Sequence, residues 1–113
     1  MIEIRRPDDD ELCGFVRERD GRWEALAVFG GLLDTAGSAE HAERLVRDTG
    51  LAALAERWLL VDGPGADEQI VCIQEASPEG VTLALDYYSM PGVPTLRVPR
   101  TRLDSGEVQL RRS

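Results

Sequence analysis

The sequence contains no lysine and no asparagine, one histidine and two cysteines. A Walker-type phosphate loop requires lysine, so that class of nucleotide site is excluded. A closed zinc site requires several imidazole or thiolate ligands, which His41, Cys13 and Cys72 do not supply from one chain. A hydrolase needs a base beside a nucleophile, and no nucleophile motif accompanies His41. We therefore expect no catalytic residues, no metal site and no cofactor.

Long apolar runs are also missing, and every such run falls well short of the roughly 20 residues of a membrane helix. The N-terminus reads MIEIRRPDDDE and has no apolar core like that of a signal peptide. Cys13 and Cys72 each lie inside an apolar run, which is typical of reduced core cysteines. The sequence thus predicts a cytoplasmic protein that makes no contact with a membrane.

Positive charge is scarce, and all 13 basic residues are arginine, a usage typical of GC-rich bacterial genomes. The net charge of −8 argues against nucleic-acid binding, which relies on clustered cations. The charge is uneven: residues 1–89 hold 8 arginines and 19 acidic residues, whereas residues 90–113 hold 5 arginines and 2 acidic residues. Such a basic segment is expected to pair with the acidic body of its own chain or with that of a second copy.

What the chain does have is an ordinary soluble composition, 42% hydrophobic and 30% charged over 113 residues, with no linker-like stretch. This length and composition predict a single domain over residues 1–113.

The sharpest local signal is Asp20-Gly21 between the apolar-rich runs LCGFVRER and RWEALAVF. This dipeptide predicts a two-residue type I′ hairpin, in which the numbers of cross-strand partners sum to 41. Arg17 then faces Glu24, Phe15 faces Leu26 and Cys13 faces Val28. The first two pairs are favourable cross-strand combinations, so the side chains support the register that the turn predicts.

Further along the chain, Ser38 begins a predicted helix that Gly50 ends, and a second short helix is expected over 51–57. A short edge strand is expected over 1–6. The runs WLLVD, QIVCIQE and VTLALDYY predict an antiparallel meander, and TLRVPR and EVQLRR predict short edge strands. The fold class is therefore α+β, one antiparallel sheet of about five to seven strands with one or two helices on one face. A curled, half-open barrel is the alternative.

The richest candidate for an interaction surface lies where a strand ends in a proline-constrained loop, next to the basic C-terminal segment. An exposed tyrosine followed by methionine and proline makes a rigid yet adaptable contact surface. The predicted surface comprises Tyr87, Tyr88, Met90, Pro91, Val93, Pro94, Arg97, Arg100 and Arg102.

Two functions remain open from the sequence. The first is a non-enzymatic protein-interaction domain, accessory or inhibitory, that binds a protein partner or a second copy of itself. The alternative is a small-molecule-binding protein or an enzyme with a pocket between sheet and helix. A cavity with convergent polar groups favours the alternative, and an exposed apolar patch around 87–94 favours the first. Glu75 and Asp86, near strand ends, are the acidic residues that such a pocket would use if they faced inward.

Overall fold

The computed structural model describes residues 1–85 and 92–112. Nine strands form one curled sheet: Ile2–Arg5 (β1), Leu12–Arg19 (β2), Arg22–Ala27 (β3), Leu32–Ala36 (β4), Arg57–Asp62 (β5), Gln69–Ser77 (β6), Gly80–Ala84 (β7), Thr95–Pro99 (β8) and Val108–Arg112 (β9). Helix α1 spans Ala39–Thr49, a 3₁₀ helix spans Ala52–Ala55, and helix α2 spans Arg100–Asp104. The α+β class is confirmed. The predicted strand number was too low.

The hairpin prediction is confirmed. β2 and β3 pair from Arg19–Arg22 to Gly14–Ala27, and every pair sums to 41. Asp20 and Gly21 have φ of 53° and 79°, as a type I′ turn requires. The expected pair Cys13–Val28 lies beyond this ladder, because β1 and β2 shift register next to Cys13 and β3 ends at Ala27.

Replacing Gly21 with valine should destabilise the protein by about 1–3 kcal/mol, because a β-branched residue resists positive φ. A Cβ at Gly21 would meet nothing within 4 Å, so the cost comes from the backbone alone. Gly37 has equally open space without a positive φ, and Gly37→Val should stay within about 0.5 kcal/mol. Urea unfolding of both variants measures the difference. Equal effects would show that the turn conformation contributes nothing.

The sheet order is β1-β2-β3-β4-β9-β5-β6-β7-β8. β9 was expected at an edge, but it lies in the middle of the sheet, antiparallel to β5 and parallel to β4. The sheet is therefore mixed and not purely antiparallel. The edge prediction was wrong because Val108 and Leu110 are buried, at 1% and 3% exposure, and a strand with a buried apolar face needs neighbours. β1 and β8 do form the edges, as predicted.

Helix α1 begins as predicted, with the hydroxyl of Ser38 accepting a hydrogen bond from the backbone N–H of His41. It packs against β2, β3 and β4 through Ala42 and Val46. Gly50 ends the helix as predicted, with a right-handed φ of −58°, so it does not form a left-handed C-terminal cap. A Cβ there would lie 2.4 Å from the carbonyl oxygen of Cys13, so glycine allows the helix to approach β2 closely.

The buried side chains form one cluster that runs from α1 across the sheet to β7 and β8. At its centre Trp58 is fully buried, stacks edge-on against Phe29 at 5.0 Å and donates its indole N–H to the carbonyl oxygen of Ala53. Trp58, on β5, therefore contacts both the turn that follows β3 and the 3₁₀ helix that follows α1. No helix in the described part of the chain is long and apolar enough to cross a membrane.

Candidate functional site

A cleft of about 270 Å³ opens where β4 and β9 meet, and we call it the seam cleft. One wall comes from the β2–β3 hairpin and the start of β4: Arg17, Arg19, Glu24, Leu26, Gly30 and Leu32. The other comes from α2, β9 and the turn between them: Leu103, Gly106, Val108, Gln109, Leu110 and Arg111. Residues from both ends of the chain thus converge on one cavity.

The cleft exists because β4 and β9 are barely paired. β9 pairs with β5 along its whole length, from Trp58–Arg112 to Asp62–Val108. Its ladder with β4, among the described residues, consists of the single pair Leu32–Arg111. The chain turns at Gly30, whose φ is 96°, two residues before β4 begins. The two strands therefore touch at one point and leave an opening alongside the first residues of β9.

Charged side chains line the hairpin wall. Arg17 donates to the carboxylate of Glu24 at 2.6 Å, and both side chains are largely buried, at 18% and 15% exposure. This is the cross-strand pair predicted from the sequence. Arg19 lies 3.9 Å from the same carboxylate and is half exposed. Of the two hairpin arginines that line the cleft, Arg19 is therefore the more open to a ligand.

Helix α2 closes the other side of this charge network. Arg100 donates to Asp104 at 2.9 Å, and its guanidinium lies 4.7 Å from the ring centre of Phe15. Asp104 also lies 3.9 Å from Arg17. Arg100, one of the predicted surface residues, is only 13% exposed, so it links α2 to the hairpin.

The four charged residues that line the cleft, Arg17, Arg19, Glu24 and Arg111, carry a formal charge of +2 on a protein of −8. Leucine side chains on both walls supply an apolar surface beside them. Guanidinium groups bind carboxylates through paired, directed hydrogen bonds. Arg17 and Arg111 are already paired, with Glu24 and Glu68, so a carboxylate held next to the leucines would be bound mainly by Arg19.

The surface predicted at 87–102 is described only in part. Tyr87, Tyr88, Met90 and Pro91 lie outside the described residues. Val93 is half-buried and Pro94 exposed, and the carbonyl oxygen of Pro94 accepts from the N–H of Leu85. The remaining members are Arg97, on the edge strand β8, and Arg100 and Arg102, on α2. Among the described members of this surface, those on α2 are the ones that border the cleft.

Arg97 and Glu75 mark a second, open depression across β6, β7 and β8. The guanidinium of Arg97 donates to the hydroxyl of Thr82. Thr82 lies on β7, directly opposite Glu75 on the neighbouring strand β6. Glu75 is exposed and does not face the core, and Asp86 lies outside the described residues. The depression therefore has no buried acidic group.

The basic C-terminal segment is paired within the chain. Arg102 binds Asp62 at 3.1 Å, Arg112 lies 3.7 Å from Glu56, and Arg111 binds Glu68. These three acidic residues belong to the acidic body, so the structure contains the intramolecular version of the expected pairing. Each is a solvent-exposed pair of small energy, about 0–1 kcal/mol.

Other residues considered from the sequence are not brought together. His41 is exposed on α1, and the described residues contain no group of three or more metal-ligating side chains. In the acidic run, Asp9 pairs with Arg6 at 2.6 Å, which lowers the pKa of its carboxyl group to about 2. Cys13 is buried and Cys72 is half-buried, and neither forms a disulfide.

Cys13 should react slowly with iodoacetamide in the native protein, because it is 1% exposed and its burial raises the pKa of its thiol. We expect alkylation at least about a hundredfold slower than in denaturant, since the reaction requires local opening. A Cys72→Ala variant leaves Cys13 as the single thiol for this measurement. Rapid labelling of that variant under native conditions would show a reactive thiol.

The cleft could not be found from the sequence, because its two walls, residues 17–32 and 103–111, lie more than seventy residues apart along the chain. The Arg17–Glu24 pair and the alternation of Val108 and Leu110 with Gln109 and Arg111 were the only local signals. No known protein family, curated protein or solved structure matches this chain.

Proposed function

We propose that this protein is a non-enzymatic interaction domain that binds a partner protein at the seam cleft, as an accessory or inhibitory factor. The observation that supports the proposal is the lining of the cleft, in which three arginines and one glutamate, with a net charge of +2, lie beside leucines. Polar and charged groups around an apolar centre are the usual anatomy of a protein interface.

The location of arginine in the cleft favours partner binding further. Arginine is enriched among residues that dominate binding energy, and a partly exposed guanidinium gains most when a partner excludes water. Arg19 has this exposure and stands at the cleft wall. The absence of a disulfide between Cys13 and Cys72 fits a reducing compartment, so the proposal includes a cytoplasmic location.

A small carboxylate-bearing molecule is the second candidate ligand. The cleft of about 270 Å³ lies just below the roughly 300 Å³ at which typical small-molecule sites begin. That size accommodates one or two side chains of a partner more readily than a whole ligand. Self-association remains a version of the first proposal, with a second copy as the partner.

The test places a photo-crosslinking amino acid at Gln109, which lines the cleft and is exposed, and at His41 on α1 as a control position. Proteins crosslinked in cells of the native host are identified, purified and titrated against the wild type. We expect a protein that crosslinks at Gln109 and not at His41, and that binds as a purified component.

Arg19→Glu should weaken that binding at least about tenfold, and Arg44→Glu, the same charge change on the exposed face of α1, should not. Crosslinks found only at His41, or equal effects of the two charge reversals, would contradict the proposal. Retention of a small molecule at the cleft, seen by native mass spectrometry without any protein partner, would favour the second candidate.

A further inference from the structure

We infer that two copies of this chain pair through β1, edge to edge and antiparallel, about a two-fold axis at Ile4. This inference goes beyond the proposed function, because the surface that it uses is an outer edge of the sheet and not the seam cleft. It follows from three features of β1: the direction of its backbone groups, the order of its charges and its exposed apolar side chains.

The backbone of β1 has an open outer side. β1 pairs with β2 on one side, and the described parts of the chain place no strand on the other. The N–H and C=O groups of Arg6 both bond to the turn between β1 and β2. Because successive residues of a strand direct these groups to opposite sides, those of Ile4 also point to β2, and those of Glu3 and Arg5 point away. Glu3 and Arg5 are exposed, so their backbone groups offer a template for a further strand.

The charges on β1 select a second copy and fix its register. When two copies pair about Ile4, Glu3 of each copy faces Arg5 of the other, and each of these pairs exchanges both backbone hydrogen bonds. A shift by two residues in either direction would set Glu3 against Glu3 or Arg5 against Arg5, and like charges directly opposite are destabilising. The edge is therefore complementary to itself in one register, as a two-fold interface requires.

The ion pair within each copy does not have to break. The guanidinium of Arg5 lies 3.1 Å from the carboxylate of Glu3, and both side chains are about half exposed. Residues two apart lie on the same face of a strand, so the four side chains of the dimer form a square in which each neighbour carries the opposite charge. Dimerisation therefore adds cross-strand ion pairs and removes none.

Exposed apolar side chains lie at the same edge. Of the three large hydrophobic side chains that are exposed in the described part of the chain, Met1 and Ile2 lie at the start of β1, with exposed fractions of 60% and 48%. Met1 keeps this exposure although its sulfur accepts a hydrogen bond from Arg100. In the register about Ile4, Ile2 lies diagonal to Ile4 of the other copy, within reach of its side chain. Dimerisation thus covers apolar surface that the single chain leaves in water.

Sedimentation velocity of the purified protein measures this association, in about 0.15 M salt so that the net charge of each copy is screened beyond about 8 Å. The ladder cannot extend past Pro7, which has no N–H to donate, so the interface is smaller than that of a tight dimer. We expect a monomer–dimer equilibrium with a Kd of about 10–500 µM. A protein that stays monomeric up to about 1 mM would overturn the inference.

Charge reversals test the register. Glu3→Arg and Arg5→Glu should each weaken dimerisation at least about tenfold, because each sets like charges against one another. An equal mixture of these two variants should associate again, and so should the double variant that carries both substitutions. Glu40→Arg and Arg44→Glu make the same charge changes at exposed positions on α1 and should leave dimerisation unchanged. Equal losses in the α1 variants, or a mixture that stays monomeric, would contradict the register.

Strand pairing is tested separately at Glu3. Glu3→Pro removes the carboxylate and the outward N–H, whereas Glu3→Ala removes the carboxylate alone, so the proline variant should dimerise at least about fivefold more weakly. Equal association of the two would overturn strand pairing, and the charge reversals carry the test if Glu3→Pro does not fold. A dimer that Arg19→Glu abolishes and Glu3→Arg does not would overturn this inference while supporting self-association at the seam cleft.

Discussion

Deleting residues 105–113 should leave the chain unfolded, because the deleted segment contains β9 at the centre of the sheet. Its removal strips β5 of one neighbour along five residue pairs and exposes the apolar side chains that Val108 and Leu110 cover. Burial of each such side chain contributes about 1.5–3 kcal/mol, against a total stability of about 5–15 kcal/mol for a domain. We expect loss of amide dispersion in NMR spectra and loss of a cooperative thermal transition.

Two point variants on β9 test the same prediction without removing the whole strand. Leu110→Ala should cost about 2–5 kcal/mol, whereas Ala at the neighbouring exposed Gln109 should cost less than about 0.5 kcal/mol. The contrast follows from the alternation of buried and exposed residues along β9. A truncated chain with a native spectrum, or equal effects of the two point variants, would contradict the central position of β9.

Trp58→Ala should be the most destabilising single substitution that we describe, with a cost of about 3–5 kcal/mol. The side chain is fully buried, packs edge-on against Phe29 and satisfies the carbonyl oxygen of Ala53. It joins the α1 end of the core to the meander end, so no single neighbour can fill the space that its loss leaves. Guanidinium unfolding followed by circular dichroism measures the change.

Trp23→Ala provides the control. Trp23 is half-buried at the margin of the core, so its replacement should lower the free energy of unfolding by less than Trp58→Ala does. Trp58→Phe separates packing from hydrogen bonding: it retains a ring against Phe29 but removes the indole donor to the Ala53 carbonyl, which still accepts from the N–H of Glu56, so the lost hydrogen bond should cost about 0.5–1.5 kcal/mol. If Trp58→Ala does not fold, the free energy of unfolding of Trp58→Phe can still be measured. Equal costs for Trp58→Ala and Trp23→Ala would contradict the central position of Trp58.

The sequence-based predictions were accurate for elements that depend on contacts between residues close in the sequence. The β2–β3 register depends on Asp20-Gly21 and on pairs such as Arg17–Glu24 that are close in the chain, and it was predicted correctly. The start of α1 likewise depends on Ser38, three residues from the N–H that it caps. Local rules suffice where the partners are local.

The position of β9 depends on contacts across the whole chain, and it was not predicted. The alternation of EVQLRR correctly indicated a strand, but it says nothing about which strands lie beside it. The bridge between Leu32 and Arg111 joins residues almost eighty positions apart. The seam cleft depends on that bridge, so it could not be predicted from the sequence either. The hairpin prediction did pair Arg17 with Glu24, two residues of its wall.

Native-state hydrogen exchange along β9 tests most directly the claim that this central strand has one paired and one open side. The amides that point to β5 should be strongly protected, and the alternate amides that point into the cleft should exchange rapidly, except at the bridge to Leu32. The expected result is therefore alternating protection from Val108 to Arg112. Uniform protection would show that a second ladder fills the seam, and uniform lack of protection would show that β9 is not a central strand; either result would contradict the account.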